Sequence, residues 1–157
     1  MTEFTHITDD RVRMVDVSSK NEVSREALAS GTIILRPETL KAIATGSTIK
    51  GNVLATARVA ATLAIKDTFR IIPMCHNIPV HGIDIDFEQD ETSITARVKV
   101  ISSGKTGVEM EALVGVSTAL LTIWDMVKSA EKDDNGQYPV TLIKEIRVDE
   151  KQKGQHP

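Results

Sequence analysis

Apolar and polar positions first alternate and then recur at helical spacing along this chain. From Val23 to Leu35, the residues Ala27, Ala29, Ile33 and Leu35 alternate with polar or differently facing positions, the period-2 mark of a strand. The run Arg25-Glu26-Ala27-Leu28-Ala29 favours helix by propensity, but the alternation favours a strand over about residues 24–35. Pro37 suits the first turn of a short helix that Gly46 ends. A longer helix from about Asn52 to Lys66 places Val53, Ala57, Ala60, Ala61 and Ala64 on one face. Pro73 stops helix propagation, and residues 71–79 read as a loop. Ile83, Ile85 and Phe87 then alternate with Asp84 and Asp86, and Ile94, Ala96, Val98 and Val100 repeat the pattern after a turn at Glu88 to Thr92.

Thr106 and Glu109 form a capping-box pattern that opens a second long helix. Ala112, Val116, Ala119, Ile123 and Val127, flanked by Leu113 and Leu120, make its core stripe. Glu111, Gly115, Thr118, Thr122 and Asp125 fall on the opposite stripe, polar and small, with an acid at each end. Small residues there leave room for something to lie against the helix. Lys132 to Gly136 is a turn, and a final strand spans about Val140 to Val148. Residues 1–22 read as an extended arm, 23–148 as a single domain and 149–157 as a flexible tail. The element order predicts an α+β fold of the ferredoxin-like β-α-β-β-α-β type, an antiparallel sheet with helices on one face. Its other face would then need cover, most simply by self-association.

Composition narrows the function classes. The 157 residues are 41% hydrophobic and 26% charged, which suits one soluble domain with an aliphatic core. A net charge of −3 leaves no whole-chain footprint for nucleic acid. Three Phe, one Trp and one Tyr offer little for base stacking. No apolar run reaches membrane-spanning length, the first residues lack a signal-peptide pattern, and the lone Cys75 fits a reducing cytoplasm.

Candidate chemistry begins with Ser102-Ser103-Gly104-Lys105-Thr106. A phosphate-binding loop of the triphosphatase type needs glycine six residues before its lysine, and Lys99 stands there. What survives is a lysine among exposed amides at a helix start, which attracts anions or is only a helix cap in solvent. Cys75-His76 lacks the partners of a structural zinc site, so no metal and no cofactor are expected. Asp125 and Lys128 are neighbours on one helix face. They are either a surface ion pair or, if burial moves their pKa values toward neutrality, a proton shuttle. Lys50, Lys66, Asp16, Lys20 and Arg25 read first as solvated charges.

Longer runs change the weighting. These are Met14 to Lys20, Lys50 to Arg58, Ile72 to His76, Gly104 to Leu113 and Leu121 to Lys128. In this order they resemble the molybdenum-cofactor biosynthesis protein C family, the cyclic pyranopterin monophosphate synthases, over nearly the whole chain. The resemblance implies a lyase that rearranges a cyclic dihydro-GTP intermediate into cyclic pyranopterin monophosphate and releases pyrophosphate. It implies a homohexamer, a trimer of dimers, with the active site at a dimer interface. It implies Asp125 as central acid–base, with Lys128 and Lys50 assisting. Met74, Cys75, His76, Met110 and Glu111 match the family's substrate-contacting segments. Lys66, Lys20, Arg25, Lys105 and Lys151 are the further cations for a triphosphate. Two positions depart from the family pattern. The glycine pair that often follows the C-terminal lysine is missing after Lys151, and Asn77 stands where proline is frequent. A nucleotide-binding regulator would need the cations but not the Asp125–Lys128 pair.

Overall fold

A computed structural model describes residues 7–8 and 11–154. The rest of the expected arm (1–6 and 9–10) and the last three residues of the expected tail lie outside the described residues. Within the arm, β1 (Ile7–Thr8) pairs antiparallel with β2 (Arg11–Val12). The chain continues through β3 (Val23–Ile34), α1 (Pro37–Thr45), α2 (Val53–Lys66), α3 (Thr68–Ile71), β4 (Val80–Gln89), β5 (Ser93–Gly104), α4 (Glu109–Glu131) and β6 (Leu142–Lys153). The last four strands form one antiparallel sheet in the order β4-β5-β3-β6. This is the ferredoxin-like α+β arrangement expected from the element order.

β3 is central, paired on one side with β5 and on the other with β6. Two ladders outweigh the local helix propensity of Arg25–Ala29. Ala27, Ala29 and Ile33 point into the core with Ile94, Ala96, Val98 and Val100 of β5. Local chemistry ends the elements. Pro37 starts α1, and Gly46 closes it in the left-handed region at φ 69°. The Asn52 side chain accepts the Ala55 N–H at 3.0 Å to cap α2. Asp90 accepts the N–H groups of Thr92 and Ser93, both at 2.7 Å, and so shapes the β4–β5 turn.

Four expectations need correction. The Thr106–Glu109 capping box does not form: α4 begins at Glu109 without a side-chain cap, and the Glu109 carboxylate turns to Lys151 instead. The stripe through Gly115 is not open. A Cβ at Gly115 would sit 2.7 Å from Ile65 Cδ1 of α2 and 3.1 Å from Val98 Cγ1 of β5. The small residue lets α2 and α4 approach closely on the sheet, and Glu111 at the head of that stripe is buried. β6 runs to Lys153, past the expected end at Val148, because an exposed edge strand needs no apolar alternation to pair with β3. Finally, α4 at 23 residues is long and apolar enough to cross a membrane by length and composition. Ala112, Val116, Ala119, Leu120 and Ile123 of that helix are core residues packed on the sheet.

The sheet face away from the helices carries ion pairs, Lys99 Nζ to Glu26 Oε1 at 2.8 Å and Arg97 Nη2 to Glu88 Oε2 at 3.0 Å. Water solvates such a face, so the need for cover inferred from one-sided helices does not follow from it. The exposed apolar side chains include Val59 and Leu63, one turn apart on α2, and Leu121 on α4.

Candidate active site

One end of the molecule holds a cavity of about 430 Å³. Its walls come from the arm (Val15, Val17, Lys20), the loop after α3 (Met74, Cys75, His76), and Thr106 to Glu111 around the start of α4. The loop turns back where the Cys75 N–H meets the Ile72 carbonyl at 3.0 Å. Two side chains strap the arm across the opening. His76 Nε2–H donates to the Val15 carbonyl at 2.7 Å, and Lys105 Nζ donates to the Ser18 carbonyl at 2.7 Å. A carbonyl can only accept, so Nε2 carries a proton and Nδ1 is the ring atom left for another partner. Lys105 is engaged as a strap rather than left open for an anion. Asp16 folds back on the Ser18 N–H at 2.8 Å, which holds its carboxyl below the usual range.

Burial is the main influence that pushes the Cys75 thiol up, so Cys75 is no thiolate nucleophile at neutral pH. Glu111 is only 4% exposed. Burial pushes its carboxyl up against its own backbone amide, and the nearby Glu109 adds to the rise. Glu109 goes the other way. Burial works to raise it, yet the Lys151 hydrogen bond at 2.9 Å, its own amide and the charges of Lys151 and Arg25 hold it below the ordinary value. Arg25 and Lys151 line a smaller cleft of about 150 Å³ that shares Gly107 and Glu109 with the cavity. The Arg25 Nε is buried there without a hydrogen-bond partner among the described residues.

The other end of α4 carries a second cluster. Lys50, in the turn before α2, donates to Asp125 Oδ2 at 3.0 Å and to the Asp125 carbonyl at 2.8 Å. Lys128 Nζ donates to Asp125 Oδ1 at 2.6 Å. A single carboxylate thus bridges two ammonium groups that lie 78 residues apart in sequence. The three side chains are 42%, 57% and 46% exposed for Lys50, Asp125 and Lys128. The hydrogen bonds and charges of Lys128 and Lys50 hold the Asp125 carboxyl down, and Asp125 holds the Lys128 ammonium up. Of the two readings of Asp125 and Lys128, the condition for the second, burial that moves the pair toward neutrality, is not met. In an open site the pairing favours both charged forms, and there is little desolvation to oppose it.

A model of the MoaC family matches residues 14–154. The chain belongs to the MoaC family. It is 75% identical over 153 residues to a probable cyclic pyranopterin monophosphate synthase of Methanospirillum hungatei, covering 98% of both chains. It is 68% identical over 155 residues to a protein of the same description from Methanoregula boonei, covering 99% of this chain and all of that one. A relative from Methanothermobacter thermautotrophicus, described as a probable cyclic pyranopterin monophosphate synthase accessory protein, is 59% identical over 153 residues, 98% of this chain and 96% of that one.

In this MoaC-family chain the expected site residues sort into two groups. Lys20, Met74, Cys75, His76, Met110 and Glu111 share the cavity, with Arg25, Lys105 and Lys151 around it. Lys50, Asp125 and Lys128 form the second group. Lys66, in the last turn of α2, joins neither through a hydrogen bond or ion pair among the described residues. Glu111 and Asp125 are 14 residues apart on one continuous helix, roughly 21 Å at about 1.5 Å per residue. The sequence reading missed Glu109, taken there for a cap, as the partner of Lys151. It also missed Glu131, fully buried, which accepts the Arg36 N–H at 3.2 Å and the Thr141 hydroxyl at 2.5 Å. Only a charged residue at a core-facing helix position could have signalled Glu131. Among the described residues no three His, Cys, Asp or Glu side chains group as metal ligands.

Proposed function

We propose that this chain converts a cyclic dihydro-GTP intermediate into cyclic pyranopterin monophosphate and releases pyrophosphate. The observation that carries the reading is the Lys50–Asp125–Lys128 cluster, a carboxylate held between two ammonium groups in an open position. The substrate carries a triphosphate. Lys50 and Lys128 offset the charge that builds on departing pyrophosphate, and their N–H bonds supply protons. Asp125, held ionised, is the proton acceptor and keeps the two ammonium groups aimed. The cavity, within the size range of small-molecule sites, receives the base-derived rings. Its cations Lys20, Arg25 and Lys151, with Lys66 nearer the helical surface, are a second tier of anion contacts.

The two clusters lie too far apart on α4 to serve one substrate within a protomer. We propose that a second copy brings its trio to the first copy's cavity, in a dimer assembled further into a hexamer, a trimer of dimers. The exposed Val59, Leu63 and Leu121 give the helical layer apolar surface for such contacts. The test is turnover of the cyclic dihydro-GTP intermediate by the purified chain, read as pyrophosphate and as the oxidised fluorescent pterin. Both products support the reading. Tight binding without either product points to a regulator. Sedimentation of an active monomer overturns the shared site.

A further inference from the structure

The proposed rearrangement moves protons at the nitrogens of a base-derived ring, and their mutual pairing makes Asp125 a weaker proton acceptor and Lys128 a weaker proton donor than either would be alone. The cavity itself holds an acid of a different kind. Glu111 is 4% exposed and lines the cavity beside Cys75 and His76. Among the described residues no ammonium, guanidinium or side-chain donor pairs with its carboxyl. Glu109, two residues earlier in the same helical turn, has taken Lys151. The two acids at the head of α4 therefore differ in kind: one is ion-paired, the other buried and facing a cavity.

We infer that Glu111 is a further catalytic residue of the proposed reaction, standing in the cavity as a neutral carboxylic acid that gives its proton to the base-derived ring and takes one back. The inference rests on reading this cavity as the substrate site. In the first step the Glu111 O–H bond breaks as the lone pair of a ring nitrogen forms a new N–H bond, and the O–H electron pair stays on the carboxylate. In a later step the carboxylate oxygen takes a proton from a second ring N–H or from water, and the acid is restored. No oxidant or reductant is involved.

The groups around Glu111 are consistent with a neutral resting form. Glu109 on its own helix, and burial, both disfavour the carboxylate. From the loop come Cys75, itself pushed toward the neutral thiol, and His76, whose Nε2–H is spent on Val15. From the arm comes Lys20, which makes no ion pair with Glu111 among the described residues. Two carboxyls whose surroundings drive them apart are a general signature of divided acid and base roles.

The alternative is an ionised Glu111 that only recognises the N–H edge of the ring. Glu111→Gln separates the two. The full-length chain and this variant are compared for binding and turnover of the cyclic dihydro-GTP intermediate across pH. The infrared band of a protonated carboxyl is recorded alongside at neutral pH. We expect binding within about threefold and kcat lower by on the order of 10²-fold or more. We also expect the wild-type rate to fall as pH rises through the Glu111 titration, and that fall to be lost in the variant. Turnover near wild type overturns the inference, as does weakened binding at unchanged kcat. If the wild type forms neither product, the substrate reading fails, and the infrared band decides the acid by itself. A protonated-carboxyl band that Glu111→Gln removes upholds it, and a wild-type spectrum without one overturns it. The wild-type band also decides should the variant fail to fold.

Discussion

The two ends of α4 carry acids under opposite rules. At the C-terminal half, Asp125 stands in solvent between Lys50 and Lys128, and pairing holds it ionised. At the N-terminal turn, Glu111 is buried without a cation partner among the described residues, and burial pushes it toward the neutral form. Both residues follow from the same spacing on one helix, so periodicity alone would treat them alike. The difference lies in what covers each position. The head of the stripe is closed by the loop, the arm and the neighbouring helix, whereas the trio remains open. An acid's role is thus set by its cover and its partners rather than by its place in a stripe.

The largest expected effect breaks the exposed end. Asp125→Ala or Lys50→Ala should lower kcat/KM by on the order of 10²- to 10⁴-fold, with an unchanged circular-dichroism spectrum, because all three side chains sit in solvent and outside the core. A loss of folded signal would show that the cluster holds the turn before α2 in place instead. Next comes the middle of the helix. Gly115→Ala places a methyl within 2.7 Å of Ile65; such overpacking costs about 1–3 kcal/mol. Its melting temperature should fall by roughly 2–4 °C for each 1 kcal/mol. An unchanged melting temperature with a raised KM would restore the idea of an open berth for substrate along this stripe.

Much of the architecture was legible because burial imposes period. The alternations of Ala27 to Leu35, Ile83 to Phe87 and Ile94 to Val100 each became a strand with its core face as read. The errors have physical causes. β6 past Val148 is polar throughout and exposed at the sheet edge, so no hydrophobic signal marks it. The α4 stripe misled because amphipathic reasoning assumes one covered face, and this helix is covered both by the sheet and by α2. Glu131 went unread because its partners, the Arg36 amide and the Thr141 hydroxyl, lie on other elements. In the site, the runs around Lys50 and Asp125 were legible as a motif, and the structure brings them within hydrogen-bond distance. Their exposure, and with it the direction of their pKa shifts, was not written in any local pattern.

A smaller effect concerns stability at the buried end. A carboxyl raised on folding contributes no penalty below its unfolded pKa, and its contribution is lost as pH rises through the folded value. Wild type should therefore lose stability from the ordinary carboxylate range upward as Glu111 is forced to ionise in place. Glu111→Gln removes that proton and should melt higher than wild type at alkaline pH, with the gap closing in acid. A gap that stays constant across pH would mean that packing, not ionisation, separates the two proteins.

The smallest effect tests what makes Glu109 unlike Glu111. Lys151 is largely exposed, and one such ion pair contributes about 0–1 kcal/mol. Glu109 is depressed on folding, so its stabilisation is present above the unfolded pKa and fades as pH falls through the folded one. Lys151→Gln leaves burial, the Glu109 amide and Arg25 in place but takes away the largest influence holding this carboxyl down. Its acid-limb titration, followed by carboxyl NMR, should move upward, toward Glu111, and the wild type's extra acid sensitivity of melting should shrink. If Glu109 titrates unchanged in Lys151→Gln, Arg25 and the helix amide suffice to hold it ionised. The two acids would then be set apart by the helix start itself rather than by the reach of β6, which brings Lys151 to α4.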